Sequence, residues 1–174
     1  MILLSVYFGG CFRMISLNLT NVKDFMSHLL LSETFDNFYF IEGEIVTFNT
    51  FTIDGYIQKD FFDSDAELTE YSYWKNLREY CFSLIRGKRT PLSFRLVFSL
   101  SRENMERTVR KSTPSLNPDD VQGLYLNIRY DGSHLACVTG TSFKTFSLDK
   151  SLEHAWDDMV KKFLKQKKIE FEEE

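Results

Sequence analysis

The chain uses one order of predicted elements twice, and this repeat constrains the fold more than any other feature of the sequence. Each unit reads as a strand, then a helix, then paired strands. The two units comprise residues 15–19, 21–31 and 37–59, and then residues 93–100, 102–111 and 121–148. A last helix is predicted over residues 150–167. Together these elements predict an α+β domain with a mainly antiparallel sheet and helices packed on one of its sides.

Three local signals support this reading. Asn21 can cap the first helix, and apolar residues from Val22 to Leu30 recur at helical spacing. Asp131-Gly132 offers the positive φ of a tight hairpin turn between strands at 124–130 and 134–139. Asp54-Gly55 offers a second turn or bulge signal.

The middle of the chain is interpreted with less local support. Residues 80–85 alternate like a strand and precede a basic turn at 86–91. Residues 145–148 favour a further short strand. Seventeen Phe and eight Tyr suit half-buried strand faces, so we expect an aromatic core, with an exposed partner surface as the alternative.

The predicted organisation is a single domain over residues 14–168, followed by a frayed acidic tail at 169–174. Residues 1–13 are interpreted as an over-extended start rather than a targeting peptide, because no Lys or Arg precedes their apolar run. Three scattered cysteines do not form a disulfide framework. We therefore expect a cytoplasmic protein, and no apolar run approaches the ~20 residues of a membrane span.

Charge is segregated along the chain although the net charge is only −4. Residues 33–73 hold ten acidic residues and one basic residue, whereas residues 75–111 hold ten basic and three acidic residues. Such a division indicates a surface for nucleic acid or for an acidic partner, or self-association of opposite patches. Two solvated surfaces that neutralise each other within the fold would give the same pattern.

The basic segment contains the candidate binding residues, which fall in the predicted turn and in the helix after it. They are Arg86, Lys88, Arg89, Arg102, Arg107, Arg110 and Lys111. Cations at this density suit phosphate contacts that do not read bases, or an acidic protein surface.

No complete catalytic or cofactor motif accompanies them. Arg86-Gly87-Lys88 lacks the glycine and the Ser/Thr of a phosphate loop, and no His, Cys or carboxylate set has metal-ligand spacing. We therefore predict a non-catalytic interaction module with no cofactor and no metal. The alternative is a small carboxylate- or metal-dependent hydrolase that uses Asp54, Asp60 or Asp63 with His134. A homodimer of opposite patches is a third possibility.

Several phrases resemble an uncharacterised bacterial family of unknown function. They are Met14-Ile-Ser-Leu-Asn-Leu, Phe48-Asn-Thr-Phe-Thr-Ile-Asp-Gly55, Leu84-Ile-Arg-Gly-Lys-Arg-Thr-Pro91, Leu124-Tyr-Leu-Asn-Ile-Arg-Tyr and Trp156-Asp157. The resemblance covers Met14 to about Leu164 and implies no activity and no site residues.

The repeated order is also similar to one domain of a DNA sliding clamp. In clamps the helices line a basic inner surface that faces duplex DNA. That similarity implies that the second, basic helix would contact nucleic acid, although the first helix offers only Lys23 and the last helix has no counterpart in a clamp domain.

Overall fold

The computed structural model describes residues 14–174, in which one sheet carries all the strands. The strands are β1 (Ser16–Asn18), β2 (Tyr39–Val46), β3 (Thr50–Asp54), β4 (Ser93–Ser99), β5 (Val121–Tyr130), β6 (Leu135–Phe143) and β7 (Glu172–Glu173). The helices are α1 (Val22–Leu30), α2 (Trp74–Ile85), α3 (Arg102–Ser112) and α4 (Ser151–Gln166). The predicted α+β class is confirmed.

The sheet interlocks the two predicted units. Its strand order is β3-β2-β4-β5-β6-β1-β7, and every neighbouring pair is antiparallel. The first strand of the first unit, β1, does not pair with β2 or β3. It pairs with β6, where Leu17 lies opposite Cys137. The repeat therefore builds one continuous sheet rather than two separate ones.

The helices cover one face of this sheet because side chains alternate along each strand. Phe94, Leu96 and Phe98 of β4 are buried under the helices, whereas Arg95 between them is exposed on the opposite face. Arg95 there forms an ion pair with Glu42 of β2, with 2.8 Å between Nη2 and Oε1.

Phe35 joins the helices to the sheet at the centre of the core. Its ring centroid lies 5.7 Å from that of Phe25 in α1, 5.8 Å from Phe98 in β4 and 5.6 Å from Phe163 in α4. Trp74 of α2 packs against Phe98 in the same core. The predicted aromatic core is therefore present.

The predicted helix starts are correct. The Asn21 side chain accepts a hydrogen bond from the backbone N–H of Asp24 at 3.0 Å, which satisfies a donor at the start of α1. The Ser101 hydroxyl accepts one from the Asn104 N–H at 3.4 Å at the start of α3. Gly132 has φ +99°, so the hairpin between β5 and β6 turns at the predicted glycine.

The prediction of a strand at residues 80–85 is wrong, because these residues form the second half of α2. Trp74 and Cys81 are buried and Leu77 packs on the core, a spacing of three, four and seven residues that belongs to a helix. Tyr80 points to solvent on the other side of the helix. The apolar and polar residues that seemed to alternate as in a strand lie on the two sides of a short stretch of amphipathic helix. The basic turn therefore connects a helix to a strand and is not a hairpin tip.

Three smaller predictions also fail. Residues 145–148 form no strand, and residues 172–173 form the edge strand β7 instead of fraying. Asp54-Gly55 does not form the turn between β2 and β3. That turn lies at residues 47–49, where the Thr47 N–H donates to the Asn49 carbonyl at 2.9 Å. Gly55 instead lets two backbones approach, since a Cβ there would lie 1.8 Å from the Phe40 carbonyl oxygen.

The interpretation of residues 1–13 as an over-extended start lies outside the described residues. Within residues 14–174, none of the helices combines the length and the apolar character needed to cross a bilayer.

Candidate functional site

The seven predicted basic residues divide into two groups at opposite ends of β4. Arg86, Lys88 and Arg89 precede the strand, and the remaining four lie on α3, which follows it. Seven residues of extended chain separate the two ends by roughly 20 Å. The sequence expectation of one basic segment therefore corresponds to two distinct surfaces.

The α3 group is largely neutralised by carboxylates of α3 itself and of the turn before β5. Arg102 donates to Glu106 and to Asp119, at 2.7 Å in both cases. Two further pairs are Arg107 with Glu103 at 2.7 Å and Arg110 with Glu106 at 3.3 Å.

These contacts reduce the positive field of α3. Each exposed pair is worth little in stability, yet it places a negative charge within hydrogen-bond distance of a guanidinium. Of the four α3 cations, Lys111 forms no ion pair with residues 14–174. The α3 surface is thus a mixed-charge surface with an open depression beside Arg107, Arg110 and Lys111.

The group before β4 has the opposite character. Arg86, Lys88 and Arg89 are exposed, and no carboxylate of residues 14–174 pairs with any of them. Arg86 lies over the ring of Phe82, 5.8 Å from its centroid. We call residues 86–91 the basic loop. Its three cations remain free to meet an anionic group from another molecule.

Two exposed apolar side chains accompany the basic loop. Leu92 is 66% exposed, and its N–H donates to the Val46 carbonyl at 2.8 Å, which ties the loop to the end of β2. Phe48 is 86% exposed in the turn that follows β2, edge-on to Phe51 at 5.8 Å. Sequence reasoning missed both, because Phe48 was assigned to the paired strands at 37–59 and Leu92 was not considered apart from the strand that follows it. The signal available was an aromatic residue followed by Asn49, a common turn residue.

The hairpin loop between β5 and β6 supports the basic loop from the other side. Backbone N–H groups of His134 and Ser133 donate to the Asp131 carboxylate and hold its pKa well below its usual range. A Cβ at Gly132 would come within 2.9 Å of the Leu92 carbonyl oxygen. Three loops therefore meet at this end of the sheet, and the hydrogen bond from the Leu92 N–H to Val46 ties the base of the basic loop to β2.

An acidic loop lies at the other end of β2. We give this name to residues 58–70, which leave the sheet after the Ile57 N–H donates to the Glu70 carbonyl at 3.0 Å. The loop carries Phe61, which is 85% exposed. Its acidic residues are Asp60, Asp63, Asp65, Glu67 and Glu70, and none forms an ion pair with residues 14–174.

Tyrosines cluster beside the stem of the acidic loop. The rings of Tyr39 and Tyr73 lie 4.9 Å apart, and those of Tyr56 and Tyr71 lie 5.8 Å apart. Burial raises the pKa of Tyr39, Tyr71 and Tyr125, so these phenols stay neutral at physiological pH.

The residues of the predicted hydrolase do not come together. His134 lies just before β6, whereas Asp54 is the last residue of β3. These two strands are four positions apart in the strand order, which is roughly 19 Å across the sheet. Asp60 and Asp63 lie in the acidic loop. Among residues 14–174 no three His, Cys, Asp or Glu side chains are grouped to hold a metal ion.

The two described cysteines lie in the core, where burial raises the pKa of Cys81 and of Cys137 to about 12. Such thiols stay protonated and unreactive at neutral pH.

The fold and this surface define an α+β domain on one seven-stranded antiparallel sheet, with exposed cations and apolar side chains at one end. A family of unknown function, DUF5721, matches residues 28–172. The chain belongs to this family, which confirms the resemblance found in the sequence. No curated protein and no solved structure matched the chain.

Proposed function

We propose that this chain is a non-catalytic binding module that engages an acidic protein partner through the basic loop. The observation that carries the proposal is the combination of Arg86, Lys88 and Arg89, which lack carboxylate partners within residues 14–174, with exposed Phe48 and Leu92. Apolar side chains rimmed by arginine are typical of protein interfaces. The anchored base of the loop limits the backbone part of the ordering cost of binding, although the long cationic side chains must still be ordered.

The charge distribution favours a protein partner over duplex DNA. Strong binding to a duplex uses a row of cations that displaces many counterions, typically with six or more phosphate contacts. The basic loop has three cations, and the guanidinium groups of α3 are held by Glu103, Glu106 and Asp119. The likeness to a clamp domain and the contact with nucleic acid through α3 stay predictions.

The proposed setting is a bacterial cytoplasm. Cys81 and Cys137 are both free thiols, which suits a reducing compartment. The hydrolase stays the alternative from sequence, and the separation of His134 from Asp54 gives it no support.

A glutamate–tyrosine copolymer tests the proposal as an acidic, aromatic probe. We expect fluorescence anisotropy to detect binding that weakens between about 0.1 M and about 1 M NaCl, as the Debye length falls from about 10 Å to about 3 Å. Lys88→Glu with Arg89→Glu should abolish binding. The matched control is Lys144→Glu with Lys162→Glu, which changes the net charge equally at exposed sites elsewhere and should bind normally.

Two results would overturn the proposal. One is an absence of copolymer binding at low salt. The other is tighter binding of random duplex DNA than of the copolymer with equal losses in both double variants, which would favour a diffuse electrostatic surface.

A further inference from the structure

We infer that the basic loop binds the acidic loop of a second copy of this chain, so that molecules associate head to tail. The inference rests on the proposed function, because it names the partner of the same surface. Its basis is the complementarity of two loops that project from opposite ends of the sheet.

The two loops match in both charge and apolar character. The basic loop presents Arg86, Lys88 and Arg89 beside exposed Phe48 and Leu92. The acidic loop presents five carboxylates beside Phe61 and Phe62, whose rings meet edge to face at 5.4 Å. Each loop thus has an exposed aromatic side chain in it or beside it and a net charge opposite to that of the other, although the acidic loop also contains Lys59. Apolar anchors and complementary charges give an interface its energy and its orientation.

The fold keeps the two loops of one molecule apart. The basic loop is tied to β2 at Val46, through the Leu92 N–H. The stem of the acidic loop is tied to β2 at Phe40 and Ile41, through the N–H of Phe40 to Ser72 and the N–H of Gly55 to Ile41. These attachment points lie roughly 16 Å apart along the strand. No ion pair joins the two loops within one molecule.

This separation allows a head-to-tail association. In that arrangement each contact joins two different surfaces and is heterologous, so it builds a ring or an open chain of molecules, whereas an antiparallel pair would make the same contact twice in a two-fold dimer. Two loops bury less surface than a stable interface does, so we expect weak association, with a Kd on the order of 100 µM. High salt should reverse it because its charges are exposed.

Sedimentation velocity up to about 1 mM protein tests the inference with complementary variants. The basic-loop variant is Lys88→Glu with Arg89→Glu, and the acidic-loop variant is Asp63→Lys with Asp65→Lys. We expect the wild type to sediment faster as its concentration rises. Each variant alone should associate at least about tenfold more weakly than the wild type. The Lys144→Glu and Lys162→Glu control should behave as the wild type.

Mixing gives the most specific result. The basic-loop variant keeps a functional acidic loop, and the acidic-loop variant keeps a functional basic loop. An equimolar mixture should therefore regain association, because the unchanged acidic loop of one variant meets the unchanged basic loop of the other and the two reversed loops are also complementary in charge. A chain that carries all four reversals should regain association, which also shows that loss in the single-loop variants is not misfolding.

The outcomes separate this inference from the proposed function. A wild type that stays monomeric at low salt but binds the glutamate–tyrosine copolymer would overturn self-association and leave the binding module standing. A wild type that does neither would overturn both. Association that persists in the two single-loop variants would place the contact elsewhere and also overturn the inference.

Discussion

At the residue scale, buried polar contacts fix the positions of the helices on the sheet. Trp74 is fully buried between Phe40 and Phe98, and its indole N–H donates to the Leu29 carbonyl at 2.8 Å. The bond crosses from α2 to α1, so a single side chain joins two helices and two strands. Such a residue contributes both apolar burial and a satisfied donor.

We expect Trp74→Ala to lower the free energy of unfolding by about 3–5 kcal/mol, because it leaves a large cavity. Trp74→Phe should cost about 1–3 kcal/mol, since the Leu29 carbonyl then lacks its partner. Urea denaturation of the three proteins measures both values. Equal stabilities for the Phe variant and the wild type would show that the indole hydrogen bond does not matter.

Asp157 of α4 is a buried carboxylate with one close partner. The Thr139 hydroxyl of β6 donates to its Oδ1 at 2.6 Å. Burial nevertheless raises the pKa of Asp157, and the hydrogen bond from Thr139 opposes this only in part. The folded protein therefore binds this proton more tightly than the unfolded chain does.

The raised pKa of Asp157 predicts how stability depends on pH. Its contribution is fully present below the usual Asp pKa and is lost as the pH rises through the folded-state pKa. Asp157→Asn keeps an acceptor for Thr139, so its stability relative to the wild type should increase from pH 3 to pH 7. The exposed neighbour change Asp158→Asn is the control. Parallel pH profiles for the wild type and Asp157→Asn would contradict this assignment.

At the element scale, α2 shows how a helix that lacks a strong sequence signal is held. Asp36, after α1, pairs with Arg78 of α2 at 3.4 Å, and Arg78 also donates to the Ser32 carbonyl. Both side chains are largely buried. The pair therefore joins α2 to the segment that leaves α1.

We expect Arg78→Ala to destabilise the fold by about 2 kcal/mol or more, because it leaves the Asp36 carboxylate buried without a counter-charge. A double-mutant cycle with Asp36→Ala should give a coupling energy of about 1–3 kcal/mol. Thermal or urea unfolding of the four proteins provides the cycle. Additive losses would mean that the two side chains act independently.

Elements with strong local signals were predictable from the sequence, and those fixed by distant contacts were not. Asn21, Gly132 and the apolar spacing of α4 each identify their element within a few residues. The strand prediction at 80–85 failed because Trp74 and Leu77, which complete the helical spacing with Cys81, precede those six residues. The pairing of β7 with β1 brings Glu173 opposite Leu17, a contact that no local pattern encodes.

The candidate site likewise has features that local sequence signals predict and features that depend on distant contacts. The basic residues were found from their density alone, which is a local property. Their separation into a neutralised helix and an unpaired loop depends on which carboxylates lie nearby. Asp119, for example, reaches Arg102 from seventeen residues away. The roles of Phe48 and Leu92 depend on exposure, which composition does not reveal.

At the scale of the whole molecule, the fold keeps the basic loop and the acidic loop apart. The sheet face opposite the helices and the surface of α3 neutralise their own charges through pairs such as Arg95 with Glu42 and Arg107 with Glu103. The basic loop and the acidic loop do not, and they lie at opposite ends of β2. The unpaired charges are thus placed where another molecule can reach them, which is the central claim of the proposed function.

A residue-resolved NMR titration with the glutamate–tyrosine copolymer tests that claim most directly. We predict that amide shift changes are concentrated in residues 47–49, 86–92 and 131–134, and that about 1 M NaCl suppresses them. Changes concentrated on α3, or spread evenly over all the basic residues, would contradict the account.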